Sequence, residues 1–120
     1  MSAWVWVSVG ALGALGALVR FVVDGFVDAR VSGGFPTGTL VVNLSGALLI
    51  GLLYGLSLSG NALLLAGTAT LGSYTTFSTW MLESQRLAED ADVRGAMANV
   101  VGSLVLGVAA AALGHAIGAG

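Results

Sequence analysis

The run Gly67-Thr68-Ala69-Thr70-Leu71-Gly72-Ser73-Tyr74-Thr75-Thr76-Phe77-Ser78-Thr79-Trp80 carries eight hydroxyl side chains inside an otherwise apolar segment. Polar groups at that depth must be buried in protein, line a polar path, or bind something. Two chemistries fit. Gly72 has weak helix propensity, and Thr and Ser side chains compete for backbone hydrogen bonds. The run therefore predicts a helix broken near its middle, around Gly67 and Gly72. Freed carbonyls there are hard oxygen ligands and suit a small hard cation such as Na⁺. Past the break, Phe77 and Trp80 stand at i, i+3 and share a helix face. Aromatic ring edges are electropositive, so an anion met edge-on is the second chemistry. Thr79, Ser103 and Asn43 would replace part of its water with hydroxyl and amide donors.

The chain around this run is built for lipid. Of its 120 residues 57% are hydrophobic and 8% charged, and the mean hydropathy is +0.96. Soluble domains carry about 25% charged residues, so the bilayer is the expected solvent. The length suits one domain, residues 1–120, with four spans of roughly 20 residues each: Ala3 to Val23, Pro36 to Leu58, Ala62 to Met81 and Gly95 to Ile117. The first apolar run lacks a basic leader and exceeds a signal-peptide core, so it reads as a retained span. Pro36 opens the second span, where its missing N–H costs least. Two polar loops hold all six acids, Asp24, Asp28, Glu83, Glu89, Asp90 and Asp92. The run from Glu83 to Arg94 reads as a solvated loop or helix end. With no acid inside a span there is no carboxylate proton relay. With no Cys and a lone His115, read as interfacial, enzyme chemistry has little to stand on. A net charge of −2 without any Lys argues against a nucleic-acid partner.

Several polar residues admit two readings each. Arg20, at the end of the first span, is either an interface anchor or a charge kept beside an anion route. Asn43 either glues two helices or donates to a solute. Asn99, Ser103 and Gly107 recur at i, i+4, i+8 and fall on one helix face. Gly10, Gly13 and Gly16, like Gly46, Gly51 and Gly55, read as close-packing edges. Arg20, Arg30, Arg86 and Arg94 all fall at one membrane side. The positive-inside rule makes that side cytoplasmic and places both termini outside.

Three stretches resemble the Fluc (CrcB) fluoride ion channel family. They are Gly16-Ala17-Leu18-Val19-Arg20-Phe21, Gly38-Thr39-Leu40-Val41-Val42-Asn43-Leu44-Ser45-Gly46 and Gly72-Ser73-Tyr74-Thr75-Thr76-Phe77-Ser78-Thr79-Trp80. The resemblance implies an all-α membrane protein with four transmembrane helices, the third broken near its middle, assembled as an antiparallel dimer in the plasma membrane. It implies passive fluoride export and a structural, untransported Na⁺ held by the backbone carbonyls of Gly72 and Thr75. It maps the ion pathway onto Arg20, Asn43, Phe77, Thr79, Trp80, Asn99 and Ser103. Trp80 departs from the family's usual Phe, and Asn99 from a frequent Tyr. An antiparallel homodimer needs one sequence to insert both ways, and the one-sided arginines oppose that. A heterodimer with a homologous, oppositely inserted subunit is therefore a further expectation. A small proton-coupled exporter would want an embedded carboxylate. A non-transporting assembly protein would explain the glycine edges but not the hydroxyl–aromatic run.

Overall fold

Ser2 is extended and its Oγ accepts the Val5 N–H at 3.4 Å, which starts the first helix. In the computed structural model, which describes residues 2–120, this helix, α1, spans Ala3–Asp28. It continues beyond Val23 into the segment read as loop, and Arg30 closes its end. The Arg30 Nη1 donates to the Phe26 carbonyl at 3.1 Å, and the guanidinium lies 3.4 Å from the Phe26 ring centroid. A cation there meets the negative end of the helix dipole. Pro36 then precedes α2, Thr37–Gly55. The Gly38 N–H in its first turn donates to Asp28 Oδ1 at 2.9 Å, a favourable charge for a helix N-terminus.

Gly60, at φ +59, turns the chain into α3, residues 60–74. This helix is α-wound over Gly60–Leu63, π-wound over Leu64–Leu71 and α-wound again over Gly72–Tyr74. Gly72 stays helical, at φ −61 and ψ −36. The chain departs from helix three residues later: Thr75 is extended, at φ −78 and ψ 160, and α4, Ser78–Glu89, begins after Phe77. Gly67 lies within the wide π turn rather than at a break. The glycines thus permit the unusual winding, and the hydroxyl residues after them carry the interruption. Asp92 Oδ1 accepts the Gly95 N–H at 2.9 Å and opens α5, Val93–Ala119, which has a second π turn at Ala98–Gly102.

Among the described residues all regular structure is helical. Helices α1, α2 and α5 are each long and apolar enough to cross a membrane. The segment Ala62 to Met81 is divided between α3 and α4 and so forms no single helix of that kind. Helix α2 lies along α5, and α1 lies along α3. The surface is inverted relative to a soluble domain. Trp4, Phe21 and Val22 are exposed, while Thr39, Ser84 and Asn99 are buried. Lipid removes the hydrophobic drive between helices, so small residues that admit close backbone contact set the packing.

The α2–α5 seam is the plainest case. A Cβ on Gly51 would fall against the Ala111 carbonyl, one on Gly55 against that of His115, and one on Gly114 against that of Leu48. Overpacking of this kind costs about 1–3 kcal/mol. Gly114→Ala is therefore expected to lower unfolding stability in detergent by about that amount. Gly25→Ala, where a Cβ meets nothing within 4 Å, should leave stability unchanged or raise it slightly. Equal effects of the two substitutions would show that the seam does not depend on backbone contact.

Candidate functional site

The extended Thr75 exposes backbone that a helix would have satisfied, and side chains take over. Asn43, from the middle of α2, presents its whole amide to Thr76. Its Nδ2 donates to the Thr76 carbonyl at 2.9 Å, and its Oδ1 accepts the Thr76 N–H at 2.9 Å. Two bonds from one planar amide fix the position and the orientation of that peptide segment. Thr76 continues the exchange, since its Oγ1 accepts the Thr79 N–H at 3.2 Å and so caps the start of α4. Tyr74 anchors the near side. Its hydroxyl lies 2.8 Å from Ser45 Oγ, which in turn donates to the Val42 carbonyl at 3.0 Å.

These substitutions have a consequence for two carbonyls. In an unbroken helix Gly72 O would accept from the Thr76 N–H and Thr75 O from the Thr79 N–H. Both N–H groups are instead committed to side chains, Asn43 Oδ1 and Thr76 Oγ1. Gly72 is exposed and Thr75 half-buried. The interruption thus leaves two hard oxygen donors without their helical partners on one short stretch.

The residues singled out from the sequence sort into two clefts that meet at Thr76. One, of 760 Å³, is lined by Arg20, Asp24, Thr39, Thr76, Ser78 and Thr79 among others. The other, of 400 Å³, is lined by Asn43, Thr75, Thr76, Phe77, Trp80 and Ser103 among others. Phe77 and Trp80 form a T-shaped pair, with ring centroids 5.7 Å apart and planes at 85°. Asn99 lines neither cleft. It is fully buried, and its Nδ2 donates to Ser84 Oγ at 2.8 Å. Asn99 and Ser103 do share a face, since Ser103 Oγ donates to Asn99 Oδ1 at 3.4 Å, but only Ser103 and Gly107 line the second cleft, while Asn99 packs against α4.

Sequence reasoning passed over Thr39, Ser84 and Glu83. Ser84 follows Trp80 at i+4, a spacing that signals a shared face. Glu83 was read into a solvated run, yet it is only half-exposed, and its Oε1 is buried without a hydrogen-bond partner, as are Thr39 Oγ1 and Asp24 Oδ1. Burial pushes the Glu83 carboxyl above its ordinary 4.5. Thr39 beside it favours the ionised form, Asp24 and Asp28 oppose it, and Arg86 again favours it.

Comparison with known proteins bears on the same residues. Residues 7–115 match the profile of the family described as CrcB-like protein, Camphor Resistance (CrcB). A relative named Fluoride-specific ion channel FluC 2 from Mycolicibacterium paratuberculosis is 62% identical over 111 residues, covering 92% of this chain and 91% of the relative. A protein of the same name from Mycobacterium tuberculosis is 54% identical, covering 92% and 88%. Fluoride-specific ion channel FluC 1 from Symbiobacterium thermophilum is 42% identical over 121 residues, covering 96% and 98%.

Two outcomes follow from the geometry. Asn43→Leu strips both partners from the Thr76 peptide groups. Each unpaired group costs about 1–3 kcal/mol, so unfolding stability in detergent should fall by at least the lower figure. No loss would mean that the clasp is replaced by water or lipid headgroups. The raised Glu83 pKa means that the folded state holds this proton more tightly than the unfolded state does. Its destabilising contribution is absent below pH 4.5, grows as pH rises toward the raised folded value, and is constant above it. Glu83→Gln should therefore stabilise the protein at neutral pH, with the gain vanishing below pH 4.5 in a pH series of melting temperatures.

Proposed function

The chain belongs to the CrcB family, and on that premise we propose that it is a subunit of a fluoride-specific ion channel that lowers cytoplasmic fluoride by passive export. Three apolar helices and the family make it a multi-pass membrane protein. The observation that carries the reading is the interruption at Thr75–Phe77, whose own residues are uncharged and which is set between two clefts, the larger lined also by Arg20 and Asp24. A small anion crossing it must shed water in a region of low dielectric. Each lost hydration bond then needs a preorganised donor, or the barrier rises steeply. Thr79 in one cleft and Ser103 in the other offer hydroxyls, and the exposed Phe77 offers a ring edge. Arg20 at the larger cleft draws anions to its mouth without a fixed charge at the narrow point. An ion held only by neutral donors also leaves readily, as conduction requires.

The amide of Asn43 serves this pathway indirectly, because both of its ends are used to hold Thr76. The relatives' fluoride names support the choice of anion. The carbonyls of Gly72 and Thr75 fit a structural Na⁺, since both are hard neutral oxygens relieved of their helical donors. When bound, the ion supplies a fixed positive charge that the protein's apolar surroundings otherwise lack. Gly72 and Thr75 of an oppositely oriented second subunit would complete its coordination.

The partner is an antiparallel copy or a homologous subunit. The four arginines gather at one side, which favours a single orientation in the plasma membrane with both termini outside and hence a distinct partner for the other orientation. Relatives numbered FluC 1 and FluC 2 are compatible with paired subunits. The decisive measurement is fluoride efflux from liposomes followed with an ion electrode, using this chain alone and co-expressed with a homologue. Rapid fluoride efflux with negligible chloride efflux is expected, and flux only on co-expression identifies the paired form. Slow efflux that requires a pH gradient would replace the channel by a proton-coupled exporter. No efflux in either preparation would sink the proposal.

A further inference from the structure

Trp80 and Asn99 grip each other. The indole Nε1–H of Trp80 donates to the Asn99 backbone carbonyl at 2.9 Å. In return Asn99 Nδ2 points at the Trp80 carbonyl, 3.4 Å away, and donates to Ser84 Oγ at 2.8 Å. The Ser84 hydroxyl in turn donates to the same Trp80 carbonyl at 2.9 Å. The contacts form a ring that ties the first turns of α4 to the π turn of α5, and its amide side chain is wholly buried. The Asn99 carbonyl also accepts the Ser103 N–H, so one oxygen serves both its own helix and the indole. Wide π turns tilt carbonyls outward and make such a second donor possible.

We infer that Trp80 is a positioning residue for the ion pathway, acting through its indole N–H on Asn99 rather than through an aromatic edge offered to the ion. This inference rests on the channel reading above. The indole is anchored at its polar end, and its ring holds Phe77 in the T-shaped arrangement, although Phe77 is itself 70% exposed. Ser103, four residues after Asn99, occupies the same anchored turn and lines the cleft with Phe77. Both walls of the smaller cleft are thereby referred to one hydrogen-bond ring. A Phe at position 80 would keep a ring but lose the side-chain donor that reaches the Asn99 carbonyl across the helix interface. Residues 80 and 99 then form a matched pair in this chain, in which a large aromatic with a donor is set against a small buried amide. A misplacement of about 1 Å in a site of this kind costs on the order of a hundredfold in rate, so loss of the anchor should be visible in conduction.

The test replaces Trp80 with benzothienylalanine, which keeps the bicyclic shape and exchanges the N–H for sulfur, and compares it with Trp80→Phe. Unitary fluoride current in planar bilayers reports conduction. The fraction of liposomes emptied reports how many channels are assembled. Both substitutions are expected to lower the unitary current at least tenfold while the emptied fraction stays near wild type. Unchanged current, or a reduced emptied fraction at wild-type current, assigns Trp80 a merely structural role and overturns the inference while leaving the channel intact. A wild-type preparation that passes no fluoride instead refutes the channel, and the pathway role of Trp80 with it. Hydrogen exchange of ¹⁵N-labelled indoles is an independent check on the bond. The Trp80 signal, identified by its loss in Trp80→Phe, should exchange at least tenfold more slowly than that of Trp4, which is 80% exposed. Equal rates would remove the anchor on which the inference stands.

Discussion

Everything near the middle of this protein depends on one side-chain amide facing the backbone of one residue. A bilayer offers no water to a broken helix, so a break persists only where the protein itself supplies the missing partners. Asn43 does this for Thr76 with two bonds of equal length, 2.9 Å each. Because the bonds are matched, the peptide is held in orientation as well as in place. The carbonyls before it are then left pointing away from their usual donors, and the aromatic residue after it is turned outward. The two unpartnered carbonyls and the division into two clefts both follow from a single satisfied polar contact. Of the two readings that Asn43 admits from sequence, the structure shows the one that ties two helical segments together.

The fold was legible because its signals are compositional. Low charge, the apolar runs and Pro36 suffice to mark membrane-crossing helices. What was misplaced was local. Glycine propensity pointed to Gly72 as the point of rupture, yet Gly72 is helical and the chain leaves the helix at Thr75. Propensity registers how poorly a residue supports a helix, whereas the break is decided by which residue finds a better partner than its own helix. Thr76 finds Asn43, and nothing at Gly72 competes. The same limit hid Glu83. A charged run looks solvated until a distant segment, here Thr39 at the start of α2, closes over part of it. Asn99 differs again: the 3.6-residue period correctly sets it beside Ser103, whose Oγ donates to its Oδ1, but no period tells that Ser84 and Trp80 of α4 close over it.

The two π turns share a logic. One brings the hydroxyl-rich segment against α1, where a Cβ on Gly16 would strike the Thr70 carbonyl. The other presents the Asn99 carbonyl to Trp80. The first brings backbone against backbone, and the second lets one carbonyl take an indole N–H besides its own helical donor. Apolar side chains are left to face lipid, and the polar inventory of the chain is spent on its own backbone.

The glycine seam also dictates an order of events. Gly51 meets Ala111 and Gly55 meets His115, so the two faces of the seam lie on opposite sides of α3 and α4 in the chain. During synthesis α2 enters the bilayer long before its partner exists, with Asn43 and Ser45 still unmated. Segments that pair with distant sequence come together late and carry the entropy of closing the intervening loop. Helix α5, made after α3 and α4, therefore meets α2 only once the whole segment between them has entered the bilayer.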